Sequence, residues 1–236
     1  MSAVSGPVAV RREMPATWLG GLFASTIGLK FIMALTGIGL SVFVLAHMAA
    51  NLNAFVNPQG LDEYGAALRR FPALLWGARF GLLAAVGLHI WAYLALTSKS
   101  LGARPKGYRE ASYREASFAS RSMRWTGPLL LVFVVYHLLD LTIGTVNPSF
   151  RHGEVYHNMI ASLRRAPIAV FYIVAMGALA FHLWHGIWSL FQSLGFSQSR
   201  HESIARRVAT VFTIVVAAGF AAIPVAVLAG WLKPLK

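Results

Sequence analysis

The sequence predicts an all-α integral membrane protein with five membrane-spanning helices, and two observations support this fold class. The first is composition: 57% of the residues are hydrophobic and only 12% are charged, about half the charged fraction of a soluble domain. The second is that five segments reach the length of about 20 mostly apolar residues that a helix needs to cross a bilayer. They lie at about 27–51, 76–98, 126–146, 167–192 and 207–232. These segments use most of residues 1–236, so we expect a single transmembrane domain.

The first and third predicted helices carry two copies of one motif. His47 is followed nine residues later by Val-Asn-Pro at 56–58, and His137 is followed at the same offset by Val-Asn-Pro at 146–148. His47 therefore corresponds to His137.

The second and fourth predicted helices are related in the same way. His89 and His182 each stand 13 residues before the glycine of a Ser-Leu-Gly sequence. His185, one helical turn after His182, does not fit this offset. Each of the first four helices thus holds one histidine at a position matched by the repeat.

Four histidines on four apolar helices indicate two bis-histidine haems. An imidazole inside a membrane is costly unless it is paired, so it indicates a functional site. Histidine is also a common axial ligand of haem iron. The chain has no cysteine, which excludes thioether attachment of haem and iron–sulfur ligands within the chain. We therefore expect non-covalent, b-type haem.

The depth of each histidine predicts which two share a haem. A helix rises about 1.5 Å per residue. His47 and His137 fall late in helices one and three, which run in the same direction. His89 falls roughly 15 Å before the end of helix two, which runs back. His47 and His137 are therefore predicted at one level of the membrane, and His89 and His182 at the other.

The basic charge predicts the orientation. The net charge is +13, but the 21 Lys and Arg residues fall mostly on the N-terminal side, most densely between helices two and three. This pattern favours a membrane protein with a cytoplasmic N-terminus and an external C-terminus over a nucleic-acid-binding protein. The basic loop is also a candidate docking surface for a soluble partner.

Over about residues 25–232 the chain resembles the diheme b558-type cytochrome b anchor of succinate:quinone oxidoreductases. The matching sequences include His47-Met48 with Asn51-Leu52, His137-Leu-Leu-Asp-Leu141, Asn147-Pro148, Gly153–Asn158, Phe181–Gly186 and Phe191–Gly195. The resemblance implies a four-helix bundle with two b haems and a fifth helix. It also implies His47, His89, His137 and His182 as the axial ligands of the iron.

The resemblance further implies the partners and the reaction. A flavoprotein subunit with FAD would oxidise succinate, an iron–sulfur subunit would carry the electrons, and this chain would pass them to quinone, usually menaquinone. The complex that the resemblance implies is succinate dehydrogenase, respiratory complex II of the tricarboxylic acid cycle, in the plasma membrane of a prokaryote. Quinone, membrane lipid and further copies of the complex are the other expected contacts.

Quinone chemistry needs a proton-handling group at the water boundary. Glu63, sixteen residues after His47, is the first candidate for quinone proton transfer. Glu154 is the near equivalent in the second copy, and Asp140 follows the third-helix histidine by one turn as a helix-end cap or haem-orienting group. Some relatives have a proton-conducting glutamate where this chain has Ala180, so no such path is expected along helix four.

Three alternative functions remain open. A fumarate reductase anchor would use the same chemistry in the opposite direction. A transporter can also contain internal repeats, although its copies would centre on broken helices. A structural anchor without haem would have no use for four matched histidines.

Overall fold

The computed structural model describes residues 18–103, 118–195 and 199–235, and all regular structure within them is helical. The elements are α1 Trp18–Ala24, α2 Thr26–Asn51, α3 Asn53–Val56, α4 Pro58–Arg69, α5 Pro72–Gly102, α6 Phe118–His137, a π-helical segment Leu138–Ile143, α7 Val155–Leu163, α8 Ala166–Ser193 and α9 Ser199–Leu228.

The predicted fold class is confirmed within these residues. Five helical stretches are long and apolar enough to cross a membrane: Thr26–Val56, Pro72–Gly102, Arg121–Ile143, Ala166–Ser193 and Glu202–Leu228. Their apolar side chains are largely exposed, and α5 buries only Ala92. Such surfaces are stable where the bilayer is the solvent, since helices satisfy their own backbone hydrogen bonds.

Several helix bounds differ from those expected from the sequence. The second helix was expected at 76–98, but α5 extends from Pro72 to Gly102. The third span was expected to reach residue 146 but ends at Ile143, because Gly144 takes a left-handed conformation with φ of 89°. The fifth was expected at 207–232, but α9 begins at Ser199 and ends at Leu228, shortly before Gly230 with φ of 73°. Both C-terminal ends follow the preference of glycine for left-handed caps.

Helix packing places α2 against α5, α6 against α8, and α8 against α9. The fifth helix also touches α2, where a Cβ on Gly219 would lie only 2.5 Å from the Met48 sulfur. Helices α2, α6 and α9 run towards the end of the bundle formed by α4, α7 and residues 229–235, here called the α7 end. Helices α5 and α8 run towards the other end, where Lys99 Nζ donates to the Ala24 carbonyl over 2.7 Å; this is the Lys99 end.

The α7 end holds the main buried apolar cluster. Its members come from α3, α4, α7, α8, α9 and the C-terminal tail: Ala54, Leu61, Tyr156, Met159, Ile160, Leu163, Ala169, Tyr172, Ile223, Ala226, Val227 and Leu232. Tyr156 of α7 links α4 and the C-terminal tail. Its N–H donates to Asp62 over 3.0 Å and its hydroxyl donates to the Lys233 carbonyl over 2.8 Å. Burial raises the pKa of the Tyr156 phenol, and the bond to Lys233 opposes this rise.

The two Val-Asn-Pro copies form different structures. In the first, the Asn57 side chain accepts from the Gly60 N–H over 3.1 Å and Pro58 is the first residue of α4. This is a favourable helix start. In the second, Asn147 is buried in the loop before α7 and donates to the Asn158 carbonyl over 3.2 Å. A helix therefore begins at the Val-Asn-Pro sequence in the first copy, whereas in the second copy the next helix, α7, begins only at Val155.

Candidate functional site

The four repeat-matched histidines meet as two pairs. The ring centroids of His47 and His137 are 5.9 Å apart, and those of His89 and His182 are 6.3 Å apart. The first pair lies towards the α7 end and the second towards the Lys99 end. The structure thus brings the side chains together in the two combinations that helix depth predicts, while binding of haem iron stays a prediction.

The spacing of each pair fits one metal ion between two rings. An imidazole nitrogen binds a transition metal at about 2 Å and the ring centre lies about 1 Å behind it, so two rings on opposite sides have centres about 6 Å apart. The closely packed helix pairs are α2 with α5 and α6 with α8. The histidine pairs instead join α2 to α6 and α5 to α8. Each pair therefore spans two helices that are not packed directly together, as a flat macrocycle between them requires.

A threonine orients His89. The Thr36 hydroxyl donates to the Ile32 carbonyl over 2.8 Å, and its oxygen lies 3.1 Å from His89 Nδ1. In the tautomer with a proton on Nδ1, the Thr36 oxygen accepts from His89 while its own proton goes to the carbonyl. That tautomer leaves His89 Nε2 without a proton, which is the arrangement of histidines that bind metals through Nε2.

His137 contacts a buried network of hydrogen-bonded polar side chains. The Tyr172 hydroxyl donates to Asp140 over 3.0 Å and lies 3.4 Å from His137 Nδ1. Asp140 is completely buried and also accepts from Ser162 over 2.5 Å and from Arg165 over 3.1 Å. Asp140 lies in the first turn of the π-helical segment Leu138–Ile143 that continues α6, and such segments are frequent at functional sites.

The sequence indicates Asp140 as a helix-end cap or haem-orienting group, but it does not indicate the three partners of Asp140. A charged residue inside a predicted span requires a partner, and Arg165 belongs to the repeated Leu-Arg-Arg sequence, so these two could have been paired. Ser162 and Tyr172 carry no such signal. Thr36 was likewise missed as the partner of a histidine, since a lone threonine in an apolar helix is common.

His47 has apolar surroundings. Its ring stacks on Phe43 at 5.3 Å and approaches Phe220 of α9 at 5.8 Å. The Asn51 side chain donates to the His47 carbonyl over 2.7 Å, within the same helix, and not to the imidazole.

His182 and His185 point to different surroundings. His182 faces His89, whereas His185 contacts Trp188 at 6.0 Å and lines a small pocket with Trp184, Trp188 and Arg206. Among the described residues, both histidines have a buried Nδ1 with no hydrogen-bond partner. A bound group could satisfy these rings, and only His182 lies opposite another imidazole.

The acidic candidates at the α7 end lie in different environments. Glu63 is exposed on α4, next to Asp62, which holds α7 through the Tyr156 N–H. Glu154 is exposed and paired with Arg151 at 3.2 Å. Asp140 is the buried member of the set, committed to the network described above. Among the described residues, no group forms a hydrogen bond or ion pair with more than one of these carboxylates.

An open cavity of about 430 Å³ also lies at the α7 end. It is lined by Ser149, His157, Ile160, Ala161, Arg164, Arg165 and Pro234. His157 Nε2 donates to the Ser149 carbonyl over 3.0 Å. Arg165 links this cavity to Asp140, while Glu63 is not among the lining residues. Most of the basic loop proposed for docking, residues 104–117, falls outside the described part of the chain.

Comparison with known families identifies the type of protein. The model of the succinate dehydrogenase/fumarate reductase transmembrane subunit family matches residues 102–222, just over half of the chain. The matched region includes His137 and His182, whereas His47 and His89 precede it. No curated protein and no solved structure matches the sequence. The chain belongs to the succinate dehydrogenase/fumarate reductase transmembrane subunit family.

Proposed function

We propose that this chain carries electrons across the membrane between the iron–sulfur subunit and quinone, using two b haems bound by His47 with His137 and by His89 with His182. Its family makes it the membrane anchor of the complex and not the subunit that holds the succinate or fumarate site. The observation that carries the proposal is the pairing of four imidazoles from four helices, with centroids 5.9 and 6.3 Å apart. The two pairs lie at successive depths.

The residues around each pair have distinct roles. A bound haem supplies a one-electron carrier. Thr36 fixes the ring orientation and tautomer of His89, and Tyr172 does so for His137. Phe43 and Phe220 provide an apolar wall beside His47. Water exclusion and fixed ligand orientation are the ways in which a protein tunes such a carrier.

We assign the Lys99 end to the cytoplasm, because the positive-inside rule places the basic N-terminal side there. Electrons then enter near the His89–His182 pair from an iron–sulfur subunit docked on the basic loop. Quinone reacts at the α7 end beside the His47–His137 pair. The proposed direction is from succinate to menaquinone; the family also includes fumarate reductases, in which electrons flow the opposite way.

Quinone reduction at the α7 end consumes two electrons and two protons per quinol. Proton uptake from the external side balances the outward movement of electrons. Each charge moved across 100 mV is worth about 2.3 kcal/mol, so the membrane potential assists electron transfer to a low-potential quinone. We assign proton delivery to Glu63, which is exposed to water at this end.

A haem count with histidine variants tests the proposal. Pyridine haemochrome analysis of the purified complex should give two b haems per chain. His89→Ala or His182→Ala should remove one haem and His47→Ala or His137→Ala the other. His185→Ala is the matched control, one turn from His182, and should retain both. One haem per chain in the unmodified complex, or equal loss with His185→Ala, would refute the assignment.

A further inference from the structure

The two histidine pairs differ in the polar groups that contact one ring of each pair. His89 Nδ1 lies 3.1 Å from the hydroxyl of Thr36, which also donates to a backbone carbonyl, so the hydrogen-bonding groups next to His89 are neutral. His137 lies against Tyr172, whose hydroxyl proton goes to the carboxylate of Asp140. Among the residues that the structure describes, a hydrogen-bonded carboxylate therefore lies next to the pair near the α7 end and not next to the other pair.

The surroundings of Asp140 fix the direction of these hydrogen bonds. Ser162, Arg165 and Tyr172 all donate to its two oxygens. A tyrosine hydroxyl has one proton to give. Because that proton is used on Asp140, the phenolic oxygen can only accept from His137 Nδ1–H. The sequence of donors is thus His137 to Tyr172 to Asp140, and Nε2 of the neutral His137 ring carries no proton.

The residues of this hydrogen-bond network come from several helical elements. Asp140 belongs to the π-helical segment, Ser162 to α7 and Tyr172 to α8, while Arg165 precedes α8 and also donates to the Val146 carbonyl over 3.3 Å. A buried carboxylate with complete hydrogen bonding keeps its position. Its position then determines where the Tyr172 hydroxyl points.

We propose that Asp140 is a positioning residue that acts through Tyr172 to make His137 a more electron-donating ligand, and so lowers the reduction potential of the haem bound by His47 and His137. Outer-shell carboxylates raise the basicity of a ligating histidine, and a more basic ligand favours the oxidised metal. The inference rests on the proposed binding of haem by these two residues.

Redox titration of the purified complex tests the inference. Optical titration of the unmodified complex should resolve two midpoint potentials, and His137→Ala identifies which belongs to the pair near the α7 end. Tyr172→Phe removes the acceptor of His137 Nδ1–H but keeps the contacts of Asp140 with Ser162 and Arg165. It should raise the midpoint of that haem and leave the other unchanged.

Two further variants test the role of Asp140 and the specificity of the shift in midpoint potential. Asp140→Asn should shift the same midpoint upwards, and Thr36→Val is the matched control that should shift only the midpoint of the other haem. Tyr172→Phe keeps the test decisive if Asp140→Asn does not assemble. Selective loss of the His47–His137 haem in Tyr172→Phe supports the positioning role, because the same contact orients the ligand.

The result that overturns the inference is a Tyr172→Phe complex with two haems and two unchanged midpoints. That result would leave the proposed function intact. A haem count other than two, or retention of both haems in His137→Ala, would instead refute the proposed function.

Discussion

Removing Arg165 should destabilise the folded chain more than removing its neighbour Arg164. Arg165 is the cationic partner of the fully buried Asp140, at 3.1 Å. Loss of one partner from a buried ion pair costs about 3–5 kcal/mol, because the other charge is left buried and unpaired. The Arg165 side chain is 35% exposed, so water weakens the pair, and we expect a smaller cost than this range, about 2–3 kcal/mol for Arg165→Ala.

Arg164 provides a matched control. It is adjacent in sequence, has the same side chain, is exposed and forms no ion pair with another described residue. Arg164→Ala should therefore change the free energy of unfolding by about 0.5 kcal/mol or less. Titration with SDS in mixed micelles, followed by circular dichroism, measures this free energy for the chain purified in detergent.

A double-mutant cycle separates the ion pair from the other contacts of Arg165. In the Asp140→Asn background no carboxylate needs a counter-charge, so the cost of Arg165→Ala should fall to about 1 kcal/mol, that of an ordinary hydrogen bond. The reasoning is wrong if Arg165→Ala costs no more than Arg164→Ala, or if its cost is the same with and without Asp140.

Three further predictions concern the quinone site, the docking surface and the fifth helix. Glu63→Gln should reduce quinone-dependent turnover while both haem spectra and succinate oxidation by an artificial acceptor persist; unchanged quinone turnover would make Glu154, Asp140 or the cavity at His157 and Arg165 the better candidate. Deletion of residues 103–121 should release the flavoprotein and iron–sulfur subunits from membranes with both haems retained, and continued binding would place docking elsewhere, such as residues 196–206. Gly219→Ala should lower the free energy of unfolding by about 1–3 kcal/mol, as for other overpacked contacts, since a Cβ there would lie 2.5 Å from the Met48 sulfur. Met48→Ala in the same chain should restore part of this loss, and the absence of any loss would show that α9 can move away from α2.

The membrane fold and the pairing of the four histidines follow from local sequence properties. A run of about 20 apolar residues specifies a spanning helix with little reference to its neighbours, because the bilayer supplies the apolar environment. Depth along a helix follows from a fixed rise per residue. Counting from the helix ends therefore placed His47 level with His137 and His89 level with His182, and the structure has the same two combinations.

The sequence alone could not identify the polar side chains that contact those histidines. Thr36 reaches His89 because α2 packs on α5, and Tyr172 reaches His137 because α6 packs on α8. Such contacts depend on the rotation of each helix about its axis, which helix packing sets. The two Val-Asn-Pro copies differ for a related reason. Asn57 caps a helix, whereas Asn147 is drawn to the Asn158 carbonyl of α7, a partner that exists only once the chain has folded.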